Sequence, residues 1–159
     1  MPDLLLLDNT VLSNFALVGH IALLEQVLGH RAATVTEVVR EYQRGVLLRR
    51  VPEINWQWLT VHHLVPDEIA LYRAFLRRLS AGEAACLAVA YTRKMSVVTD
   101  DRDARQIAIQ YGIPKTGTIG LLVQAIQVQK VTLNQGNQIL QQMISTGYRS
   151  PLDALDTLL

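Results

Sequence analysis

Met95-Ser96-Val97-Val98-Thr99-Asp100-Asp101-Arg102-Asp103 is the stretch on which the reading of this chain turns. Ser96 to Thr99 is small and β-branched, the composition of a strand buried on both faces. Asp100, Asp101 and Asp103 follow at once, and then a helix pattern begins. Carboxylates this close repel one another unless cations or hydrogen-bond donors offset their charge. The only basic residues close by in sequence are Arg102 and Arg105.

Outward from this strand, helix and strand patterns alternate. Upstream, Ser80-Ala81-Gly82-Glu83 has capping-box spacing and opens an alanine-rich helix reaching Lys94. That helix is apolar on nearly every face, so it is expected to lie against the sheet. Pro66 opens a helix over 67–79, with Asp67 and Glu68 in the first turn and Arg77 and Arg78 in the last. Leu4-Leu5-Leu6-Leu7 is a buried strand stopped by Asp8-Asn9-Thr10. Helices are expected over 11–18 and 20–28, the second ended by Gly29, and then a strand over 32–35. Thr36 is a suitable N-cap for a helix over 37–44 closed by Gly45. Residues 46–63 are the least legible; Trp56 to Leu64 is either a strand or irregular.

Downstream, Ala104, Ile107, Ala108 and Tyr111 recur at helical spacing up to Gly112. A very short strand is expected at Ile113-Pro114, and a turn over 116–120 leads into a helix through Gln127. Thr132 caps a helix to Ser145, and Ser150-Pro151 opens a last short one. The alternation predicts an α/β fold: a three-layer α/β/α sandwich around a central, mostly parallel sheet. A chain of 159 residues predicts one domain spanning 1–159.

Composition narrows the function classes. Half the residues are hydrophobic and 18% are charged, yet the apolar runs are too short to cross a bilayer. No basic segment precedes Leu4, so neither a leader nor a membrane partner is expected. A lone cysteine, Cys86, excludes an internal disulfide framework and fits a reducing cytoplasm; in its alanine-rich helix it reads as packing. The net charge of +1 gives no global argument for nucleic acid, but basic residues concentrate in 40–50 and 73–105.

In a parallel sheet, crossover helices begin where strands end, and ligands collect at that edge. Asp8 ends the first strand, Glu41 lies in the helix after the second, and Glu83 heads the helix feeding the strand before Asp100, Asp101 and Asp103. All six acids are therefore expected to face one edge. Each has an ordinary explanation: Asp8 as a turn former, Glu83 as the capping partner of Ser80, Asp101 or Asp103 as an N-cap. Capping accounts for one acid per helix start, not for three after one strand with Asp8 opposite. A hard divalent cation is the economical neutraliser, and two such ions about 4 Å apart can clamp an in-line phosphodiester displacement. Glu37 lies farther than Glu41 from the apolar stripe Val38, Val39 and Tyr42, and is expected to be solvated. His62 and His63 are adjacent, so on a strand they point to opposite faces and do not pair as ligands.

These motifs resemble the PIN-domain nucleases, in particular a prokaryotic toxin-like branch. Leu6-Leu7-Asp8-Asn9-Thr10 is similar to their opening strand, and Glu41-Tyr42-Gln43-Arg44-Gly45 to their second acidic motif. Gly82-Glu83-Ala84-Ala85 stands where the third acid heads a helix, and Val98-Thr99-Asp100-Asp101-Arg102-Asp103 resembles the last motif. Thr116-Gly117-Thr118-Ile119-Gly120-Leu121-Leu122 is similar to a tail motif of that branch. The resemblance implies a Mg²⁺- or Mn²⁺-dependent endoribonuclease, often the toxin of a type II toxin–antitoxin pair. It assigns catalysis to Asp8, Glu41, Glu83 and Asp101, with Asp103 as a further ligand and either Asp100 or Asp101 facing the ion. Thr10 and Thr99 would orient carboxylates or water. Arg40, Arg44, Arg102, Arg105 and Lys115, with Arg49 and Arg50, are candidates for RNA contact, though Arg40 and Arg44 equally suit i,i+3 pairs with Glu37 and Glu41.

Two other readings compete. A nuclease-inactive scaffold of the same fold would use the apolar surplus near 69–79 and 119–131 to bind a partner protein, an antitoxin or a second copy in a homodimer. A phospho-acceptor receiver module would use Lys115, but would leave Glu41 and Glu83 unexplained.

Overall fold

A computed structural model describes residues 4–159. Leu5–Leu7 (β1), Ala32–Val35 (β2), Thr60–His62 (β3), Ser96–Val98 (β4) and Lys115–Thr116 (β5) pair in parallel in the order β3-β2-β1-β4-β5. Leu5, Leu6 and Leu7 stand opposite Ser96, Val97 and Val98, so the aliphatic run and the aspartate-tipped strand are neighbours in register. The middle strand is β1; β4 lies one place off centre. β1 is buried along its whole apolar run, and β4 is buried at Val97 and Val98 and partly so at Ser96.

The helices are Asn9–Leu17 (α1), Ile21–Leu28 (α2), Thr36–Leu47 (α3), Pro66–Phe75 (α4), Ala81–Arg93 (α5), Arg102–Tyr111 (α6), Thr118–Gln127 (α7) and Leu133–Ser145 (α8). Together with the sheet they form a three-layer α/β/α sandwich. In one layer α5 packs on β1, β2 and β4 and touches α3, α4 and α6. Its small side chains, Ala84, Ala85 and Ala88, are fully buried and let the helix lie close to the strands. In the other layer α2 and α8 both pack on α7, and α1 touches α2, α3 and α8. Among the described residues, no helix is long and apolar enough to cross a membrane.

Several boundaries differ from expectation. Thr36 is the first residue of α3 rather than its cap, because its Oγ1 bonds His63 Nδ1 at 2.7 Å. Gly45 does not end that helix: it is glycine because a Cβ would meet Val51 Cγ2 at 3.0 Å. The helix expected over 67–79 stops at Phe75. The strand expected at Ile113-Pro114 forms two residues later, at Lys115–Thr116. Ser150-Pro151 opens no helix; Ser150 Oγ accepts from Leu152 N at 3.1 Å, and a 3₁₀ turn follows only at Asp156–Leu158. The capping box at Ser80 forms as expected, and Thr132 caps α8 as expected, in a capping box completed by Gln135.

The chain lays down β1, β2 and β3 in one direction and then returns to place β4 on the other side of β1. The reversal leaves a crevice at the C-terminal ends of β1 and β4, where parallel sheets bind ligands. Asp8 ends one wall of it, and Thr99 to Asp101 ends the other.

Candidate active site

Asp8 is the fixed point of this crevice. Its N–H donates to Val98 O at 3.0 Å, which continues the β1–β4 ladder one residue past the strand. Its carboxylate caps α1, with Oδ1 accepting from Asn9 N at 2.7 Å and Oδ2 from Thr99 Oγ1 at 3.0 Å. The turn-forming role is thus real. It does not neutralise the group, which is 2% exposed and has no cationic partner among the described residues. Burial and the charge of Glu83, with a smaller push from Glu41, outweigh these two bonds and lift the Asp8 pKa to about 7.

Thr99 joins Asp8 to the last acidic motif. Its hydroxyl also accepts from Asp101 N at 3.2 Å, and Asp101 Oδ2 caps α6 through Ala104 N at 2.9 Å. Glu83 closes its capping box, accepting from Ser80 N at 2.9 Å through Oε1. Burial and then the Asp101 and Glu41 charges raise its pKa, against the opposing bonds from Ser80. Glu41 reaches across from α3 to the start of α5, where Oε2 accepts from Gly82 N at 3.1 Å. A Cβ on Gly82 would stand 2.2 Å from Glu41 Oε1, so glycine is required there for the carboxylate to dock.

Asp8, Glu41 and Glu83 line one cavity of about 320 Å³ with Asn9, Thr10, Arg44 and Ser80. Among the described residues no three His, Cys, Asp or Glu side chains converge into a finished ligand shell. The carboxylates instead stand around a hollow. This donor set fits a hard divalent cation. It consists of oxygen, it is short of positive charge, and Asn9 Oδ1 is buried beside Asp8 with no hydrogen-bond partner.

The other expected acids turn elsewhere. Asp100 Oδ1 accepts from Thr118 N at 2.9 Å, and Oδ2 accepts from Thr118 Oγ1 at 2.5 Å and Asn14 Nδ2 at 3.3 Å. Asp100 therefore braces the start of α7 and faces away from Asp8. Asp103 is half exposed and pairs with Arg78 at 3.1 Å. The six acids reach one edge of the sheet, but only Asp8, Glu41 and Glu83 line the shared cavity; Asp101 stands beside it, close enough for its charge to act on Glu83, and Asp100 and Asp103 turn away. Glu37 is not fully solvated either: Oε1 is buried without a partner.

Of the basic residues, only Arg44 lines the acidic cavity, and neither it nor Arg40 forms the expected intrahelical ion pair. Arg40 and Arg102 are exposed, while Arg105 and Lys115 line a separate cavity beyond Asp100. His62 and His63 diverge as expected, toward Arg93 and Thr36. Three residues that bear on these sites went unnoticed in the sequence: Gly82 as a docking surface for Glu41, Asn14 as a partner of Asp100, and Asn9. The small residue before Glu83 was the available signal for the first; the other two are polar residues in an apolar helix.

A family model described as a PIN domain matches residues 4–159. The chain belongs to the PIN-domain family. PIN domains are in general nucleases that use divalent metals, and this one carries its acids at the sheet reversal, where four separate motifs meet. No curated protein matches the chain.

Proposed function

We propose that this PIN domain is a Mg²⁺- or Mn²⁺-dependent endoribonuclease, with Asp8, Glu41, Glu83 and Asp101 as its metal-holding carboxylates. The observation that carries the reading is Asp8: a carboxylate excluded from water, close to other acids and paired with no cation among the described residues. Bound there, a divalent ion supplies acidified water and charge to offset the departing oxygen. Asp8 holds the centre, fixed by Asn9 N and Thr99 Oγ1. Glu41 is aimed from α3 by Gly82 N, and Glu83 and Asp101 are held by the helix starts they cap. One of these carboxylates, at the wall of the cavity, accepts the proton that the attacking water loses. Thr10 at the cavity wall orients water, and Arg44 meets a phosphate oxygen from the rim. Asp100 and Asp103 are left with bracing roles.

Within the same reading, residues 4–159 act as one cytoplasmic catalytic domain, the toxin half of a toxin–antitoxin pair. An antitoxin or a second copy would cover exposed apolar side chains in 69–79 and 119–131, Leu76 and Val128 among them. Incubation with a mixed RNA pool tests the proposal. Cleavage is expected with Mn²⁺, not with chelator, and not with Asp8→Asn or Asp101→Asn. Variants that cleave as well as wild type, or cleavage indifferent to chelator, would overturn it. A stable partner complex with no cleavage at all would point to the scaffold instead.

A further inference from the structure

A second cavity, of about 520 Å³, lies across the strand-end turn from the acidic one. Asp100 lines it, while its neighbour Asp101 belongs to the acidic group, so Thr99 to Asp101 is the shared wall. Its other lining residues include Arg105, Lys115, Arg149 and Tyr148. Three cations here face one carboxylate, and that carboxylate is already spent on Thr118 and Asn14. Among the described residues, none of the three cations forms an ion pair. Arg105 is held by one bond, Nη1 donating to Thr99 O at 3.0 Å. Arg149 is exposed, and it is the only basic residue after Lys130.

The surroundings keep this hollow open. A Cβ on Gly117 would stand 2.5 Å from Asp100 Oδ1 and 3.2 Å from Arg105 Nη1, and one on Gly120 would stand 1.9 Å from Thr116 Oγ1. The bend after α8 delivers Tyr148, anchored by its N–H to Met143 O at 3.0 Å. Tyr148 is half-buried near Asp100 and Arg105. Uncommitted cations beside one aromatic ring form the elementary unit that grips a single-stranded polynucleotide, by phosphate contact and base stacking.

We propose that this cavity holds the nucleotide flanking the cleaved bond, its phosphate between Arg105, Lys115 and Arg149 and its base against Tyr148. The inference rests on the nuclease reading and adds the C-terminal segment to the path of the RNA strand. Asp100 then sets the wall between the cleaved phosphate and its neighbour.

Binding of a short, labelled, mixed-sequence single-stranded RNA to the full chain tests this, in the Asp8→Asn background so that nothing is cut. Arg149→Ala and Lys115→Ala are each expected to weaken binding and to make the plot of log K against log salt shallower by about 0.7. Arg149→Glu is expected to weaken it further, Tyr148→Ala about tenfold, and Tyr148→Phe hardly at all. Lys130→Ala, exposed beyond the far end of α7, controls for net charge and is expected to change little. Arg149 is exposed and forms no ion pair among the described residues, and melting curves identify any variant that is misfolded. Unchanged affinity and slope in folded Arg149→Ala and Lys115→Ala, or no binding by the parent, overturns the proposal. The two readings fail separately. Cleavage by wild type with binding indifferent to Arg149 sinks only the second cavity; Arg149-dependent binding without cleavage sinks only the nuclease.

Discussion

Among the described residues two carboxylates are almost wholly withdrawn from water, Asp8 at 2% and Glu68 at 1% exposure, and their fates are opposite. Burial raises the pKa of Glu68, but bonds from Arg93, Thr92 and Val65 N outweigh it and hold the pKa near 2. The Arg93 fork meets it with Nε at 2.9 Å and Nη2 at 2.8 Å. Asp8 has two neutral donors and two acidic neighbours, and its pKa rises to about 7. Desolvation is common to both; the difference is whether the fold supplies a cation. Where it does, the acid is a brace between α4 and α5. Where it does not, the acid keeps its proton to a higher pH.

Exchanging charge for a neutral amide should separate the two. Asp8→Asn is expected to lower RNA cleavage at least about 10³-fold while the melting temperature stays level or rises, since an unfavourable buried charge is removed. A destabilised Asp8→Asn protein would mean that the acid is a brace after all. Glu68→Ala should do the reverse. It leaves Arg93 without its partner and is expected to cost about 3–5 kcal/mol in denaturant unfolding, with turnover per folded molecule retained. Loss of turnover in folded Glu68→Ala protein would break the division.

A finer test lies at Gly82. Gly82→Ala is expected to reduce cleavage about 10–100-fold by displacing Glu41, with little loss of stability because alanine favours the helix. The smallest effect is in pH. Between the ordinary 3.8 and about 7, folded Asp8 keeps a proton that the unfolded chain has released. Its contribution to stability therefore falls as pH rises through that window, and the wild-type curve should decline there relative to Asp8→Asn. Glu68 runs the other way: its stabilisation is present above the ordinary 4.5 and is lost as pH falls toward 2. Metal-free melts across pH, compared between wild type, Asp8→Asn and Glu68→Gln, check both signs.

Glu68 also shows where reading by sequence stops. It was recognisable as a first-turn acid at a helix start, and it does close a capping box on Val65 N at 2.9 Å. Nothing local indicated that Arg93, 25 residues away, would complete it. His62 and His63 diverge, and their place beside this pair was equally hidden. Asp100 and Asp101 are the sharper case. They are identical residues one step apart at a strand end, where successive side chains leave in different directions. Thr118 and Asn14 claimed Asp100, and both lie far off in the chain.

Local chemistry was enough to specify β1, β2, β4, most helices, the caps at Ser80 and Thr132, and the order in which acids reach the sheet edge. Periodicity, branching and capping act over a few residues, so they are written where they operate. Only the folded chain decided which carboxylates gather, which one receives an arginine, and which glycine is an extension of a site rather than the end of a helix. Those outcomes depend on partners brought from distant segments at ångström distances, and burial then turns the presence or absence of one cation into opposite protonation behaviour.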